Sequence, residues 1–358
     1  MSQSYQSLSA LLNHGFDTVI DVRSPAEFAE DHVPGAINLP VLNNEERAEV
    51  GTIYVRQSPF LARKLGAALV FRNAATHIET ALRDHDGGWR PLVYCWRGGQ
   101  RSGSFTWMLG QIGWRADVID GGYRAYRRLV NTALYKAVLP HRLVALDGYT
   151  GTAKTEFLHI LRARGVQMLD LEGLAGHRGS LLGGLGQSQP SQKAFETKLA
   201  VALDALDPAR PVVVEAESSK IGARIIPPSL WDAMKRAPRI RVDAPLDARA
   251  EYLARAYDDV LSDTPRLQFL LDKLRAFRGN AVVDGWLDRI AAGDRIGLTR
   301  ALMQQHYDPS YDKSARIVGA DVLATVKGQS LDRDGLQAMA SRIEAILDGL
   351  PQPADRDS

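Results

Sequence analysis

The stretch Leu92-Val-Tyr-Cys95-Trp-Arg-Gly-Gly-Gln-Arg101-Ser102 joins an apolar, β-prone run to a loop rich in glycine and arginine. Cys95, the only cysteine among 358 residues, stands where the predicted strand ends. The backbone N–H groups of such a loop can point inward and bind an anion. The surrounding charges predict a thiol of lowered pKa that acts as a nucleophile, rather than an inert core cysteine. The predicted anion-binding loop consists of Arg97, Gly98, Gly99 and Arg101.

A segment near the N-terminus limits the number of folds to which the cysteine loop can belong. It reads Asp21-Val-Arg23-Ser-Pro-Ala-Glu27-Phe28 and is followed by His32-Val-Pro-Gly35-Ala36. In this order, the segment and the cysteine loop resemble the rhodanese domain. The resemblance implies a parallel-sheet α/β fold, sulfur or selenium carried on the loop cysteine, and Asp21 and Arg23 as braces of the loop. The spacing Cys-x5-Arg also suits cysteine phosphatases of rhodanese fold, so the loop alone leaves the chemistry open.

A third segment predicts a phosphate-binding loop at the start of a second domain. An apolar run at Arg142–Asp147 leads into Gly148-Tyr-Thr-Gly-Thr-Ala-Lys154-Thr155, and a helical pattern follows. Strand, glycine loop, Lys-Thr and helix is the context of a P-loop, in which amides and a lysine hold phosphate oxygens. The predicted phosphate-binding residues are Gly148, Gly151, Lys154 and Thr155. Ala153 replaces the second glycine of the motif, which costs about 1–2 kcal/mol if the backbone there is left-handed.

Length and composition agree with two fused globular domains. We expect a rhodanese-like domain at residues 1–138, a P-loop α/β domain with a helical C-terminal part at 139–350, and a flexible tail at 351–358. The chain has no apolar run of about 18 residues and no signal-peptide core, so we expect a cytoplasmic protein away from the membrane. A single cysteine excludes an internal disulfide, and zinc-site spacings of Cys and His are absent, so no metal centre is predicted.

The formal net charge of +2 does not predict a nucleic-acid-binding protein, but one segment is basic. Gly121-Gly-Tyr-Arg-Ala-Tyr-Arg-Arg128 interleaves arginines with tyrosines. Such side chains contact phosphates and stack on unpaired bases. The predicted RNA-binding residues are Tyr123, Arg124, Tyr126, Arg127 and Arg128. A solvated helix face that links the two domains remains the alternative.

Two polar segments follow predicted strands of the second domain, where ligands of open α/β sheets lie. The predicted ligand-proximal residues are His177, Arg178, Ser180, Glu215 and Glu217. For the two glutamates three roles remain open: holding a magnesium ion, positioning a base, or pairing with arginines.

Taken together, these segments closely resemble the bacterial tRNA 2-selenouridine synthase family over nearly the whole chain. Further matching segments are Gln189-Pro-Ser-Gln-Lys193, Ile221-Gly222 and Tyr307-Asp-Pro-Ser-Tyr311. The chain departs from the family at Arg124, where lysine is more frequent, and at Ala153, the P-loop position described above.

The resemblance implies an enzyme that replaces the sulfur of wobble 2-thiouridine in tRNA with selenium from selenophosphate. The implied route passes through S-geranyl-2-thiouridine made from geranyl diphosphate, whose diphosphate the P-loop would hold. Cys95 would carry selenium as a selanyl intermediate, and Arg97 and Arg101 would bind the anion. No tightly bound cofactor is implied, with magnesium left open. A rhodanese-fold cysteine phosphatase fused to a kinase-like domain and a sulfur-relay, tRNA-binding adaptor remain alternatives.

Overall fold

The structure, a computed structural model, describes residues 1–180, 182–184, 188–216, 218–315 (without the side chains of 313–315) and 321–351. The chain divides into two compact units. The first unit comprises Met1–Val138 and Pro190–Asp204, and the second comprises Leu139–Gln189 and the chain from Ala205 onwards.

The first unit is built on a parallel sheet with the strand order β1-β5-β4-β2-β3. These strands are β1 (Ser2–Gln3), β2 (Thr18–Asp21), β3 (Ile37–Asn38), β4 (Pro91–Tyr94) and β5 (Asp117–Ile119). The helices up to residue 138 are α1 (Leu8–Leu12), α2 (Pro25–Glu30), α3 (Asn44–Arg56), α4 (Pro59–Glu79), α5 (Gln100–Ile112) and α6 (Gly122–Asn131), and α6 continues as the π-helical turn Thr132–Lys136.

The sheet brings the two N-terminal motifs to one edge. Every residue of β4 is buried, as expected for a parallel strand covered on both faces. Asp21 on β2 pairs in register with Tyr94 on β4. Because the strands run parallel, the residues that follow them, Arg23 and Cys95, emerge at the same carboxyl edge.

The second unit has its own parallel sheet, with the order β12-β11-β6-β8-β7. The strands are β6 (Arg142–Asp147), β7 (Gln167–Leu169), β8 (Pro211–Glu215), the antiparallel pair β9 (Lys220–Ile221) and β10 (Arg224–Ile225), β11 (Arg239–Asp243) and β12 (Val322–Lys327).

The helices after residue 139 connect the strands of this sheet and dominate the C-terminal part of the chain. They are α7 (Lys154–Ala163), α8 (Leu171–Ala175), α9 (Gln192–Asp204), α10 (Pro228–Arg236), α11 (Leu246–Ala256), α12 (Asp258–Leu261), α13 (Thr264–Asp272), α14 (Arg275–Arg278), α15 (Asn280–Ala291), α16 (Arg295–Leu302), α17 (Asp308–Ala315) and α18 (Arg333–Asp348), with the π-helical turn Met303–Tyr307 before α17. The predicted fold class, two parallel α/β units with a helical C-terminal part, is confirmed.

Helix α9 departs from the predicted organisation. The sequence places it inside the second domain at 139–350, but Pro190–Asp204 groups with the first unit. Of the predicted tail at 351–358, only Pro351 lies among the described residues. Within the described part of the chain, no helix combines the length and apolar character that crossing a membrane requires.

Candidate functional site

In the first unit, Cys95 directly follows β4, and α5 begins at Gln100 after a tight loop. Cys95 is only 3% exposed. The hydroxyl group of Ser102 lies 3.2 Å from its Sγ and donates a hydrogen bond to it. The backbone N–H groups of Arg97 and Ser102 also donate to the sulfur. The thiol therefore lies in a nest of donors at the positive end of a helix.

These donors decide the ionisation of the thiol. Burial by itself raises the pKa of Cys95, but the Ser102 hydroxyl, the charge of Arg101 and the two backbone N–H groups outweigh it and lower the pKa from its ordinary value. A lowered pKa increases the thiolate fraction at neutral pH, and the thiolate is the nucleophile. Ser102 was not predicted as a site residue. Its signal is a hydroxyl in the first turn of the helix that follows the loop.

Arg101 is held beside the cysteine by Glu27 of α2. Arg101 Nη1 lies 3.0 Å from Glu27 Oε2, and Arg47 lies 3.8 Å from the same oxygen. Burial raises the pKa of Glu27, but Arg101 and further donors lower it overall, so the carboxyl stays ionised. Glu27 is a positioning residue that the sequence analysis did not single out. The side chain of Arg97, by contrast, is exposed.

Two glycines allow the cysteine loop to pack against the start of α6. Gly98 has a φ of 68°, and a Cβ atom there would lie 2.9 Å from the carbonyl oxygen of Ile119. A Cβ atom at Gly122 would overlap the carbonyl oxygen of Cys95. The backbone N–H of Tyr123 donates to this oxygen over 2.8 Å. The Gly-Gly-Tyr segment therefore holds the loop in place, which is a structural role.

A buried network gives the predicted braces a physical basis. Arg23 Nη2 lies 2.6 Å from Asp21 Oδ2 and also donates to the carbonyl oxygen of Asp31 over 2.6 Å. Its guanidinium carbon lies 3.9 Å from the centre of the Tyr123 ring. The network thus connects the end of β2 to the helix that supports the cysteine loop.

Three of the five predicted RNA-binding side chains face the interior, so the prediction is wrong for them. Tyr123 and Tyr126 are 2% and 0% exposed. Their hydroxyl groups donate to Asp31 and Thr197 over 2.8 and 3.0 Å. Buried rings cannot stack on the bases of a bound RNA without unpacking the helix.

Arg127 is the third predicted RNA-binding residue whose side chain faces the interior. Its side chain is only 12% exposed and pairs with Glu196 and, over 3.5 Å, with Asp31. Arg127 therefore anchors α9 to α6 and is not free to hold an RNA phosphate. Arg124 and Arg128 are exposed and remain predictions for RNA contact.

In the second unit, the loop between β6 and α7 has the geometry of a phosphate-binding loop. Gly148 has a φ of 153°, and a Cβ atom there would lie 2.5 Å from the carbonyl oxygen of Val242. Gly151 has a φ of 83°. Lys154 Nζ donates to the carbonyl oxygen of Gly148 over 2.9 Å. Together with Thr155, these residues line a cavity of about 600 Å³.

Ala153 uses a left-handed backbone. Its φ of 59° makes it the only residue other than glycine with a positive φ among those described. This places alanine where the P-loop motif has glycine, at a cost of about 1–2 kcal/mol. The methyl group is buried and packs with the core of the second unit. Burial of the methyl group offsets part of this cost.

The structure brings most of the predicted ligand-proximal residues to this cavity. Arg178, Ser180 and Glu215 line it together with the P-loop. Arg178 pairs with Asp259 over 2.9 Å, and Ser180 Oγ lies 3.1 Å from the hydroxyl of Tyr257. Glu217 lies outside the described residues.

His177 has a different position. Among the described residues it is not part of the cavity wall. Its Nδ1 accepts a hydrogen bond from the N–H of Gly179, and burial lowers the pKa of its ring. A Cβ atom at Gly222 would lie 2.8 Å from this ring and within 3 Å of Gln189. His177 therefore contacts the backbone of its own loop and Gly222 rather than the cavity. Position 222 must be glycine because its neighbours leave no room for a Cβ atom.

Two side chains that contact the P-loop were not predicted, Glu172 and Arg249. Thr155 Oγ1 donates to Glu172 Oε2 over 2.9 Å, so a carboxylate of α8 faces the P-loop. Arg249 of α11 donates to the carbonyl oxygen of Thr150 over 3.2 Å and pairs with Asp308 over 2.7 Å. Arg249 thereby ties the P-loop to the Tyr307–Tyr311 segment. Among the described residues, no three His, Cys, Asp or Glu side chains are grouped closely enough to hold a metal ion by themselves.

Comparisons with known proteins match both units. A rhodanese-like domain model matches residues 4–129, and a model of the tRNA 2-selenouridine synthase AAA domain matches residues 141–270. A tRNA 2-selenouridine synthase of Nitrosomonas europaea is 37% identical over 254 residues, which are 69% of this chain but only 64% of the relative.

Two other relatives are matched over more of their length. The tRNA 2-selenouridine synthase of Hahella chejuensis is 33% identical over 325 residues, covering 82% of this chain and 84% of the relative. That of Alcanivorax borkumensis is 32% identical over 341 residues, covering 85% and 91%. The matches extend over both units and include the cysteine loop and the P-loop. The chain therefore belongs to the tRNA 2-selenouridine synthase family.

Proposed function

We propose that this protein replaces the sulfur of wobble 2-thiouridine in tRNA with selenium. The observation that carries the proposal is the nest around Cys95, in which Ser102, Arg101 and two backbone N–H groups lower the pKa of a buried thiol. Such a nest suits a nucleophile that works beside a bound oxyanion. Family membership supplies the reaction, and the tRNA substrate makes the cytoplasm the expected location.

The first unit is proposed to take selenium from selenophosphate. Selenophosphate is a tetrahedral oxyanion close in size to phosphate, which amide nests and helix N-termini bind. Arg101, oriented by the ionised Glu27, supplies positive charge next to the sulfur. Arg97, whose side chain is exposed, is proposed to meet the anion as it enters. Cys95 is the proposed carrier of the selenium.

The second unit is proposed to hold the diphosphate of geranyl diphosphate. The cavity of about 600 Å³ offers the amides of a glycine loop and the ammonium group of Lys154. A thiocarbonyl sulfur is a poor leaving group. Once it carries the geranyl group, the sulfur can leave as geranyl thiolate. Thr155, Glu172 and Glu215 would supply the oxygen ligands that magnesium prefers next to a diphosphate. Magnesium would neutralise the charge of the leaving diphosphate.

Mass spectrometry of tRNA nucleosides tests this function. Bulk tRNA from a host that lacks the protein should contain 2-thiouridine derivatives and no 2-selenouridine. Restoring the chain, with selenium supplied, should produce 2-selenouridine, whereas a chain with Cys95→Ser should not. If the restored wild-type chain yields no selenouridine but the purified protein releases phosphate from an aryl phosphate, the phosphatase alternative replaces this proposal.

A further inference from the structure

A second large cavity lies in the first unit beside the cysteine loop. It is a groove of about 1260 Å³, larger than the ~300–1,000 Å³ of ordinary small-molecule sites. Helices α3 and α4 supply most of its lining, and Gln100, Arg101 and Ser104 of α5 complete it. The arginine that lowers the pKa of Cys95 is thus also a wall of the groove.

The groove combines apolar and charged side chains in its lining. Its apolar lining includes Leu42, Val50, Tyr54, Val55, Phe60 and Val70. Tyr54, Val55 and Phe60 are 55%, 82% and 67% exposed. Large apolar side chains that remain exposed together, around a concave surface, indicate a site that something apolar covers.

Positive charge accompanies this apolar surface. Arg47, Arg63, Lys64 and Arg101 line the groove, and no carboxylate does so among the described lining residues. Glu27, which is not part of the lining, pairs with Arg47 and Arg101. A concave surface lined by both apolar and cationic side chains complements a ligand with an apolar chain and nearby phosphates. A prenylated nucleotide within an RNA has this combination, with the chain on the base and the phosphates on either side.

We propose that this groove holds the geranyl chain of S-geranyl-2-thiouridine while selenium replaces the sulfur, an inference that rests on the proposed function. In that substitution, C2 of the base exchanges its bond to sulfur for a bond to the selenium of selenophosphate held at the Cys95 loop, and water then cleaves the selenium–phosphorus bond to release phosphate. The sulfur leaves with the electron pair of the broken bond as geranyl thiolate, which takes a proton from water. The departing chain must lie near the selenium site, and the groove includes Arg101, whose charge acts on Cys95.

The test separates the prenyl chain from the rest of the reaction. Two tRNA substrates carry either S-geranyl- or S-methyl-2-thiouridine at the wobble position, and the full-length protein selenates each. Both leaving groups are alkyl thiolates of similar basicity, so a difference in kcat/KM reports binding of the chain. We expect the wild-type protein to prefer the geranylated tRNA by at least tenfold, which corresponds to about 1.4 kcal/mol and to only about two buried methylene groups.

Phe60→Asp and Ala67→Trp change the groove by adding charge or volume to its lining, at positions that are exposed. Each should reduce the preference for the geranylated tRNA at least fivefold while S-methyl substrate is still used. The matched control is Leu61→Asp, because Leu61 is 49% exposed on the same helix but does not line the groove. The ratio of the two substrates cancels any loss of folded protein.

Two results would overturn the inference alone. One is equal use of both substrates by the wild-type protein. The other is that Phe60→Asp and Ala67→Trp keep the same preference for geranylated tRNA as Leu61→Asp. If the wild-type protein selenates neither substrate, the S-alkyl route of the proposed function fails as well, and the groove loses its proposed role with it.

Discussion

The hydroxyl group of Ser102 donates a hydrogen bond to Sγ of Cys95 over 3.2 Å. Ser102 lies in the first turn of α5, so one helix turn supplies a hydroxyl, a backbone N–H and the positive end of a dipole to the same sulfur. Each of these donors favours the thiolate over the thiol. The spacing between Cys95 and Ser102 therefore brings the first turn of α5 to the sulfur, and this contact activates the thiol.

Ser102→Ala should raise the pKa of Cys95. The variant removes the hydroxyl donor, the largest influence that opposes burial, so the thiolate fraction at pH 7 should fall. Thiolate absorbance measured against pH gives the titration directly, because Cys95 is the only cysteine. Ser104→Ala on the same helix is the control and should titrate like the wild type. A pKa that stays in place in Ser102→Ala would mean that the hydroxyl does not act on the sulfur.

Cys95→Ser should abolish incorporation of selenium into tRNA while the fold persists. A serine hydroxyl is a far weaker nucleophile at neutral pH than a thiol of lowered pKa. Because the proposed prenyl transfer uses the P-loop of the second unit, S-geranyl-2-thiouridine should persist or accumulate in the variant. Nucleoside mass spectrometry measures both products. Normal formation of 2-selenouridine by Cys95→Ser would exclude a covalent role for this residue.

Lys154→Ala should weaken the use of geranyl diphosphate. The ammonium group lies over the loop carbonyls at the cavity, and its loss removes a charge-assisted contact of roughly 1.5–3 kcal/mol. Prenylation of thiolated tRNA should therefore fall by about tenfold or more. Lys235→Ala, which removes an exposed lysine on α10, should have no such effect. Unchanged prenylation in Lys154→Ala would assign the P-loop to a different ligand.

Ala153→Gly tests the departure from the P-loop motif. Glycine relieves a left-handed backbone that costs alanine about 1–2 kcal/mol. It also removes a buried methyl group worth about 0.8 kcal/mol and increases the entropy of the unfolded chain by a similar amount. We therefore expect the free energy of unfolding to change by less than about 1 kcal/mol, with prenylation equal or better. A large loss of prenylation without unfolding would mean that the loop needs the rigidity that alanine provides.

The sequence predicted the parts of the fold that depend on local pattern. The strand Arg142–Asp147 has the bounds of the apolar run that predicted it, because a parallel strand covered on both faces is buried along nearly its whole length.

The contacts between distant segments could not be predicted in the same way. Glu27 and Arg101 are 74 residues apart, and only the assembled sheet edge brings them together. On α6, the spacing of Tyr123 and Tyr126 is that of one helix face, and the sequence alone does not say whether water, RNA or protein covers it. In the structure, Asp31 lies at the hydroxyl group of Tyr123, and Thr197 of α9 lies at that of Tyr126. The predicted domain boundary had assigned α9 to the other domain.

The basic segment contains both exposed and buried arginines, and we expect substitutions in the two groups to have different effects. Replacing both Arg124 and Arg128 by alanine removes exposed charges only. If these side chains hold tRNA phosphates, the slope of log affinity against log salt should flatten by about 2 units, near one for each lost contact. Filter binding of thiolated tRNA across a salt series measures the slope.

Arg127→Ala should act on stability instead. Its loss leaves Glu196 and Asp31 without their cationic partner, and breaking a buried pair in this way costs about 3–5 kcal/mol. Denaturant unfolding should show this loss, while the exposed double variant should unfold like the wild type. Tyr126→Phe is a milder control, because it removes only the hydrogen bond to Thr197, worth about 1 kcal/mol. A flattened salt slope in Arg127→Ala protein that is still fully folded would restore this arginine to the RNA-binding surface. An unchanged slope in the double variant would remove Arg124 and Arg128 from it.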